Sequence, residues 1–166
     1  MMTGILLLSF LLTGCGSPEP QTGKKMSMYY INTAETKVEV HEQYLNTKTL
    51  DEQLDETMRY LSTTPEKLEY KAPLDMGFRV LDYEVEDGKL LSNVDKAYSE
   101  LSPTTEVLVR AAIVRTLTQL PDVKYVGITV EDSQLYDNAG EMVGWMNADQ
   151  FINNDGNEIN TYELVK

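Results

Sequence analysis

The sequence predicts an α+β domain, a mixed and mostly antiparallel sheet with two helices packed on one face. Three observations lead there. Asp87-Gly88 sits between two runs of alternating apolar residues, and that dipeptide is favoured where both turn residues need positive backbone torsions. Two segments place apolar residues at helical spacing behind capping side chains, and each stops at a proline. A strand pattern follows the second helix, and strand, helix, strand in that order implies a right-handed crossover if the strands are parallel.

Taken in order, Met28 to Ile31 and Thr36 to Tyr44 read as strands that pair as a hairpin, the second turning Val38 and Val40 inward and Lys37, Glu39 and His41 outward. Thr49-Leu50-Asp51-Glu52 is a capping box, in which hydroxyl and carboxylate each satisfy a backbone amide of the first turn. Leu50, Leu54, Met58 and Leu61 continue the helix to a stop at Pro65. Phe78 to Glu86 and Leu90 to Val94 form the hairpin around Asp87-Gly88. Ser102-Pro103 opens the second helix with a capping hydroxyl and a first-turn proline, and Val109, Ile113, Leu117 and Leu120 carry it to Pro121. Because Val107 to Val114 is apolar on several faces, this helix belongs at the centre. Tyr125 to Glu131 follows as a strand with Val126, Ile128 and Val130 on one face. Residues 133–166 read as a C-terminal extension packed on the domain, either a weak extra hairpin or a cap, with turns at Asn138-Ala139-Gly140 and Asp155-Gly156.

The chain begins with an apolar run, Gly4 to Leu12, far shorter than the roughly 20 residues a spanning helix needs but suited to a signal peptide. Leu12-Thr13-Gly14-Cys15 resembles the bacterial lipobox, where small residues admit a peptidase and the thiol takes a diacylglyceryl group. No Lys or Arg precedes the run, so the basic start of a signal peptide is missing, and a translation start further upstream would supply it. An ordinary buried helix is excluded by Gly14, Gly16, Pro18 and Pro20, which would break it at once. Residues 1–14 are thus read as the signal peptide and 15–25 as a flexible tether led by the lipidated Cys15. The expected anchor is two acyl chains, since a single chain holds a protein only marginally.

Of 166 residues, roughly 140 remain to fold, the size of one domain. The net charge of −13 repels a phosphate backbone, so nucleic acid is not an expected partner, and it disfavours an anionic membrane surface as well. Membrane residence then falls to Cys15. Being the lone cysteine, it leaves no intramolecular disulfide to brace the domain.

Three segments form a further pattern: the helix Leu50 to Thr63; Pro73-Leu74-Asp75-Met76-Gly77 leading into Val80 to Gly88 and on to Val94-Asp95; and Thr105-Glu106 through Ile113, Thr116-Leu117, Gln119-Leu120, Val123, Val126 and Ile128. Through them the chain, over residues 28 to 132, resembles the GerMN domain of sporulation and spore-germination lipoproteins. These are caps, turns and core positions, which identify a domain rather than an activity. The resemblance implies a GerMN-like α/β domain over 26–132, similar to the ring-building domains of secretion and sporulation machines. It also implies an assembly module rather than an enzyme, outside the membrane of a Gram-positive, spore-forming bacterium. The single copy and the tail beyond Ser133 depart from tandem members.

No catalytic, cofactor-binding or metal residue is expected. His41 is the one histidine, on the polar face of its strand, where a general base would need an oriented partner. With one histidine and a lipidated cysteine, the usual zinc ligands are missing. Asp82, Glu84 and Glu86 alternate along one strand, their carboxylates roughly 6 to 7 Å apart, which suits a cation, a glycosidic bond or simply a solvated face. Asn153-Asn154-Asp155-Gly156 fails as an EF-hand, because Phe151 and Tyr162 fall where carboxylates are required. Tyr29, Tyr30, Tyr136 and Trp145 could stack on cell-wall sugars or serve as core and cross-strand aromatics. The expectation is a non-enzymatic envelope lipoprotein that binds protein partners, or further copies of itself, through a sheet edge or helix face. The alternative is a lipoprotein that binds or processes peptidoglycan.

Overall fold

A computed structural model of the chain describes residues 23–64, 69–137 and 139–151. Cys15 with the apolar run before it, Pro65, and the Asn153–Gly156 turn lie outside the described residues.

The α+β class stands, with the strands divided between two sheets. In the first, β1 (Lys24–Asn32) pairs antiparallel with β2 (Val38–Leu45), and its last two residues pair with the short β3 (Tyr70–Lys71). β1 starts at Lys24, inside the stretch read as tether, because Lys24 opposes Leu45 and its ammonium donates to the Gln119 carbonyl at 2.7 Å. Met26, Met28 and Tyr30 supply the buried face. The phase expected for β2 is corrected: Val40 is 51% exposed, whereas Glu39 and His41 oppose the buried Tyr30 and Met28. Directly opposed residues share a face. The period-two pattern was present, but β1 decides which face is inward, and β2 is an edge strand reaching past the core.

Helix α1 (Leu50–Leu61) begins with the expected reciprocal cap, Glu52 N–H to the Thr49 hydroxyl and Thr49 N–H to the Glu52 carboxylate. It buries Leu54, Met58 and Leu61. Helix α2 (Pro103–Leu117) starts at Ser102, whose hydroxyl accepts the Thr105 amide at 3.1 Å. Every residue from Leu108 to Val114 is buried, so the helix is enclosed on all sides, as its many-faced apolar pattern requires. It touches β1 and β2 of the first sheet and β6 of the second.

The second sheet has the order β4-β5-β6-β7. β4 (Val80–Glu86) and β5 (Lys89–Val94) form the expected hairpin, with φ of 49° at Asp87 and 79° at Gly88. The ladder slips between Val80 and Asp82, a bulge that leaves Leu81 exposed. β6 (Tyr125–Val130) lies parallel to β5, with Leu90, Ser92 and Val94 opposite Val126, Ile128 and Val130, and α2 is the crossover between them. β7 (Ser133–Gln134) turns back from β6 through Glu131-Asp132, both at positive φ. Further along the same edge, Val126 and Met146 exchange backbone hydrogen bonds of 2.8 and 2.9 Å. Leu135, Val143, Met146 and Phe151 are buried in the same core as the strands and helices before them.

Candidate functional site

Strand edges distinguish this surface. An unpaired edge presents a row of backbone donors and acceptors to any extended chain, so where each row ends matters. The edge of β1 away from β2 is closed at its end by β3 and before that by side chains from α2 and the turn that follows it. Tyr29 N–H donates to the Thr116 hydroxyl at 3.1 Å, Ser27 N–H to the Gln119 side-chain carbonyl at 3.0 Å, and the Gln119 amide to the Ser27 carbonyl at 2.7 Å. One glutamine thus pairs with Ser27 as a neighbouring strand would. The edge of β6 is covered by β7 and Met146. β2 and β4 remain as the long outer strands of their sheets, the opposite outer strands β3 and β7 being two residues each.

The orientation of β2 follows from β1. Since Ser27 and Tyr29 turn their amides away from β2, their antiparallel partners Glu42 and Val40 turn theirs away from β1. Val38, Val40, Glu42 and Tyr44 therefore aim backbone N–H and C=O outward. Ion pairs Lys37–Glu39 at 2.6 Å and Lys25–Glu42 at 2.7 Å flank this row.

The outer face of the second sheet is acidic. Asp82, Glu84 and Glu86 share it, as expected, and all three are exposed. Asp82 accepts from Asn93, a buried amide that also bonds Asp132 through both its side chain and its backbone N–H. That carboxylate is therefore tied to the β6–β7 turn. Glu84 and Glu86, with Asp87, Lys89, Leu91 and Trp145, line an open groove of about 320 Å³. Trp145 lies against Gly127, where a Cβ would come within 2.8 Å of the indole, and the Lys89 ammonium is 5.3 Å from the ring centre. Among the described residues no three His, Cys, Asp or Glu side chains are placed to hold a metal ion.

The four aromatics singled out in the sequence do not converge. Tyr30 is buried and stacked on Tyr70, and burial followed by the nearby Tyr60 pushes its hydroxyl pKa up to about 12. Tyr29 is half-buried beneath the Arg115 guanidinium, 4.2 Å from its ring centre. Tyr136 and Trp145 are exposed on the C-terminal segment. His41 is half-buried opposite Met28, not on a polar face.

Buried and half-buried charges hold the frame around these surfaces. Burial pushes the Glu56 carboxyl up, but hydrogen bonds from the Thr47 hydroxyl and the Asn46 and Thr47 amides outweigh it and keep it below the usual value. Glu56 thereby fixes the loop between β2 and α1. Glu35, in the β1–β2 turn, is held low by hydrogen bonds from Lys71 and then Thr105, which joins the hairpin to the start of α2. Inside the core Glu106 accepts from Arg110 and from the Tyr98 hydroxyl at 2.9 Å. Sequence patterning assigned no polar role to this triad or to Gln119, because the contacts that give them one join separate elements, Tyr98 with Glu106 and Gln119 with Ser27.

The fold and its surface define an α+β domain that presents strand edges and a shallow acidic groove. The chain belongs to the Germane family, described as sporulation and spore germination, which its residues 27–136 match. The family is one of non-catalytic modules. The first GerMN domain of the sporulation protein GerM from Bacillus subtilis superposes with a TM-score of 0.56 at 14% identity, covering 73% of this chain and 94% of that one. The tandem GerMN domains of the same protein give 0.54 at 18% identity, covering 81% of this chain and 49% of theirs. No curated protein sequence matches the chain.

Proposed function

We propose that this protein is a lipid-anchored, non-enzymatic envelope component, whose GerMN domain binds other proteins or further copies of itself during sporulation, germination or envelope assembly. The observation that carries the reading is Leu12-Thr13-Gly14-Cys15 at the end of a short apolar run, set ahead of a domain of this family. Among the described residues no helix is long and apolar enough to cross a membrane, so the anchor in this reading is the diacylglyceryl group on Cys15. The domain then stands on the outer face of the cytoplasmic membrane of a Gram-positive spore former, on the tether that follows Cys15. The test is labelled palmitate in cells making the native chain or Cys15→Ala. Label and membrane sedimentation in the native chain, both lost in the variant, support the reading; an unlabelled native chain refutes it.

A second reading, binding or processing of peptidoglycan, is favoured by the groove in which an exposed indole adjoins Glu84 and Glu86. Incubating the protein with purified cell wall distinguishes the two. Co-sedimentation lost in Trp145→Ala supports the second reading, and no retention on the wall removes it.

A further inference from the structure

We propose that the outer edge of β2 pairs with β2 of a second copy, antiparallel and centred on Val40, to give one continuous sheet across a two-fold axis. The proposal rests on the reading of the domain as an assembly module and names the surface it uses.

Of the four outer strands, β3 and β7 are two residues long, and of the two long ones β4 is unsuited to meeting itself. It is interrupted by the bulge at Leu81, and it carries Asp82, Glu84 and Glu86 with Asp87 at its tip, so two copies would oppose like charges. β2 runs eight residues without a register shift, and its half of the ladder leaves Val38, Val40, Glu42 and Tyr44 facing outward. Among the described residues no hydrogen bond is directed to those outward amides. Charge at this edge is balanced locally, since Lys25, Lys37, Glu39 and Glu42 pair as two cations with two anions while the whole chain carries −13.

The sequence of the strand is complementary to itself about Val40. Val40 opposes Val40 of the second copy as a hydrogen-bonded pair, because both its N–H and C=O point outward. Its side chain is 51% exposed in the single chain and becomes covered. Glu39 then opposes His41 of the second copy on one face, and His41 opposes Glu39 in return. Val38 meets the stem of Glu42, whose carboxylate is held by Lys25. A register moved by two residues, centred on Glu42, would instead set two glutamates against each other. The axis generates a closed pair and not a ring, because the same patch is used by both copies.

Net charge opposes the association and is screened by salt over about 8 Å at physiological ionic strength, so added salt tightens the pair. In cells making the full chain, Val40→Cys should give a covalent dimer under oxidising conditions. The Cα separation of a hydrogen-bonded antiparallel pair, about 5.5 Å, lies within disulfide reach. Glu84→Cys, on the acidic face of the second sheet, should not. In sedimentation of the full chain carrying Cys15→Ser in mild detergent, a reversible monomer–dimer equilibrium should tighten with salt. Val40→Pro should weaken it by about tenfold or more, since two symmetry-related donors are lost. Proline is tolerated there because the amide faces solvent in the single chain, and Val40→Lys blocks the same edge with every backbone amide kept. An unchanged circular dichroism spectrum in either variant shows that the fold is retained. A monomer at all concentrations, or Val40→Cys chains that do not crosslink, overturns the proposal. Assembly that persists unchanged in Val40→Pro and Val40→Lys also overturns it, while leaving the assembly reading of the domain intact.

Discussion

Replacing Gln119 by Leu tests whether a side chain from the turn after α2 stands in for a strand. Gln119 bonds both the N–H and the C=O of Ser27, at 3.0 and 2.7 Å, and also donates to the Arg115 carbonyl at 2.8 Å. Leucine keeps the bulk and removes all three contacts. Each hydrogen bond contributes about 1 kcal/mol net, and a partly buried group left unpaired costs about 1–3 kcal/mol. Because Ser27 is half-buried and water can reach part of the site, the lower part of that range applies, about 2 kcal/mol in total. For a domain of this size that is a fall in Tm of about 5–10 °C. Thermal unfolding by circular dichroism reads the loss, and amide exchange at Ser27 should accelerate more than exchange in the α2 interior. A variant that melts within a degree or two of the native protein, with Ser27 still protected, would show that solvent or backbone shifts satisfy this edge and that the capping account is wrong.

Gly88→Val should destabilise by about 1–2 kcal/mol, because φ at this position is 79° and a β-branched residue resists the left-handed region; chemical denaturation would show it as a lower midpoint with unchanged slope. Arg110→Met strips the Glu106 carboxylate of its cation in the core and should cost about 3–5 kcal/mol, while Glu106→Gln with Arg110→Met recovers part of that; double-mutant thermodynamics read the coupling. Glu56 and Glu35 titrate below the ordinary carboxylate value of 4.5, so the stability they contribute is present above that pH and lost as pH falls through their folded-state values. Glu56→Gln should flatten the acid limb of a Tm against pH curve, and an unaltered limb would contradict the assignment.

What the sequence disclosed was the local chemistry. The Thr49/Glu52 box, the Ser102-Pro103 start and the Asp87-Gly88 turn are each contained in a few neighbouring residues, and each formed as read. Element order left open whether the strands flanking the second helix run parallel, and the structure pairs β5 and β6 in parallel. What it concealed depends on distant partners. The inward face of β2 is decided by Met26, Met28 and Tyr30 on β1, so the alternation of Val38 and Val40 gave the period without the side. The division into two sheets was not legible either, since the β1 edge at Ser27 and Tyr29 is met by Gln119 and Thr116 from far along the chain. The β6–β7 turn lacks glycine, and Glu131 and Asp132 hold positive φ with Asn93 bonded to Asp132 from a neighbouring strand. Turn chemistry alone does not announce such a pair. Of the candidate site residues, the acidic row and Trp145 meet at one groove although they lie far apart in the chain, a meeting set by Gly127 having no side chain to keep the indole away.

The claim on which the rest depends is a covalent one. Mass spectrometry of the protein extracted from its native membranes should find a first peptide that begins at Cys15 and carries a diacylglyceryl group on its sulfur. A first peptide that retains residues before Cys15, or that begins there with an unmodified thiol, would contradict the account.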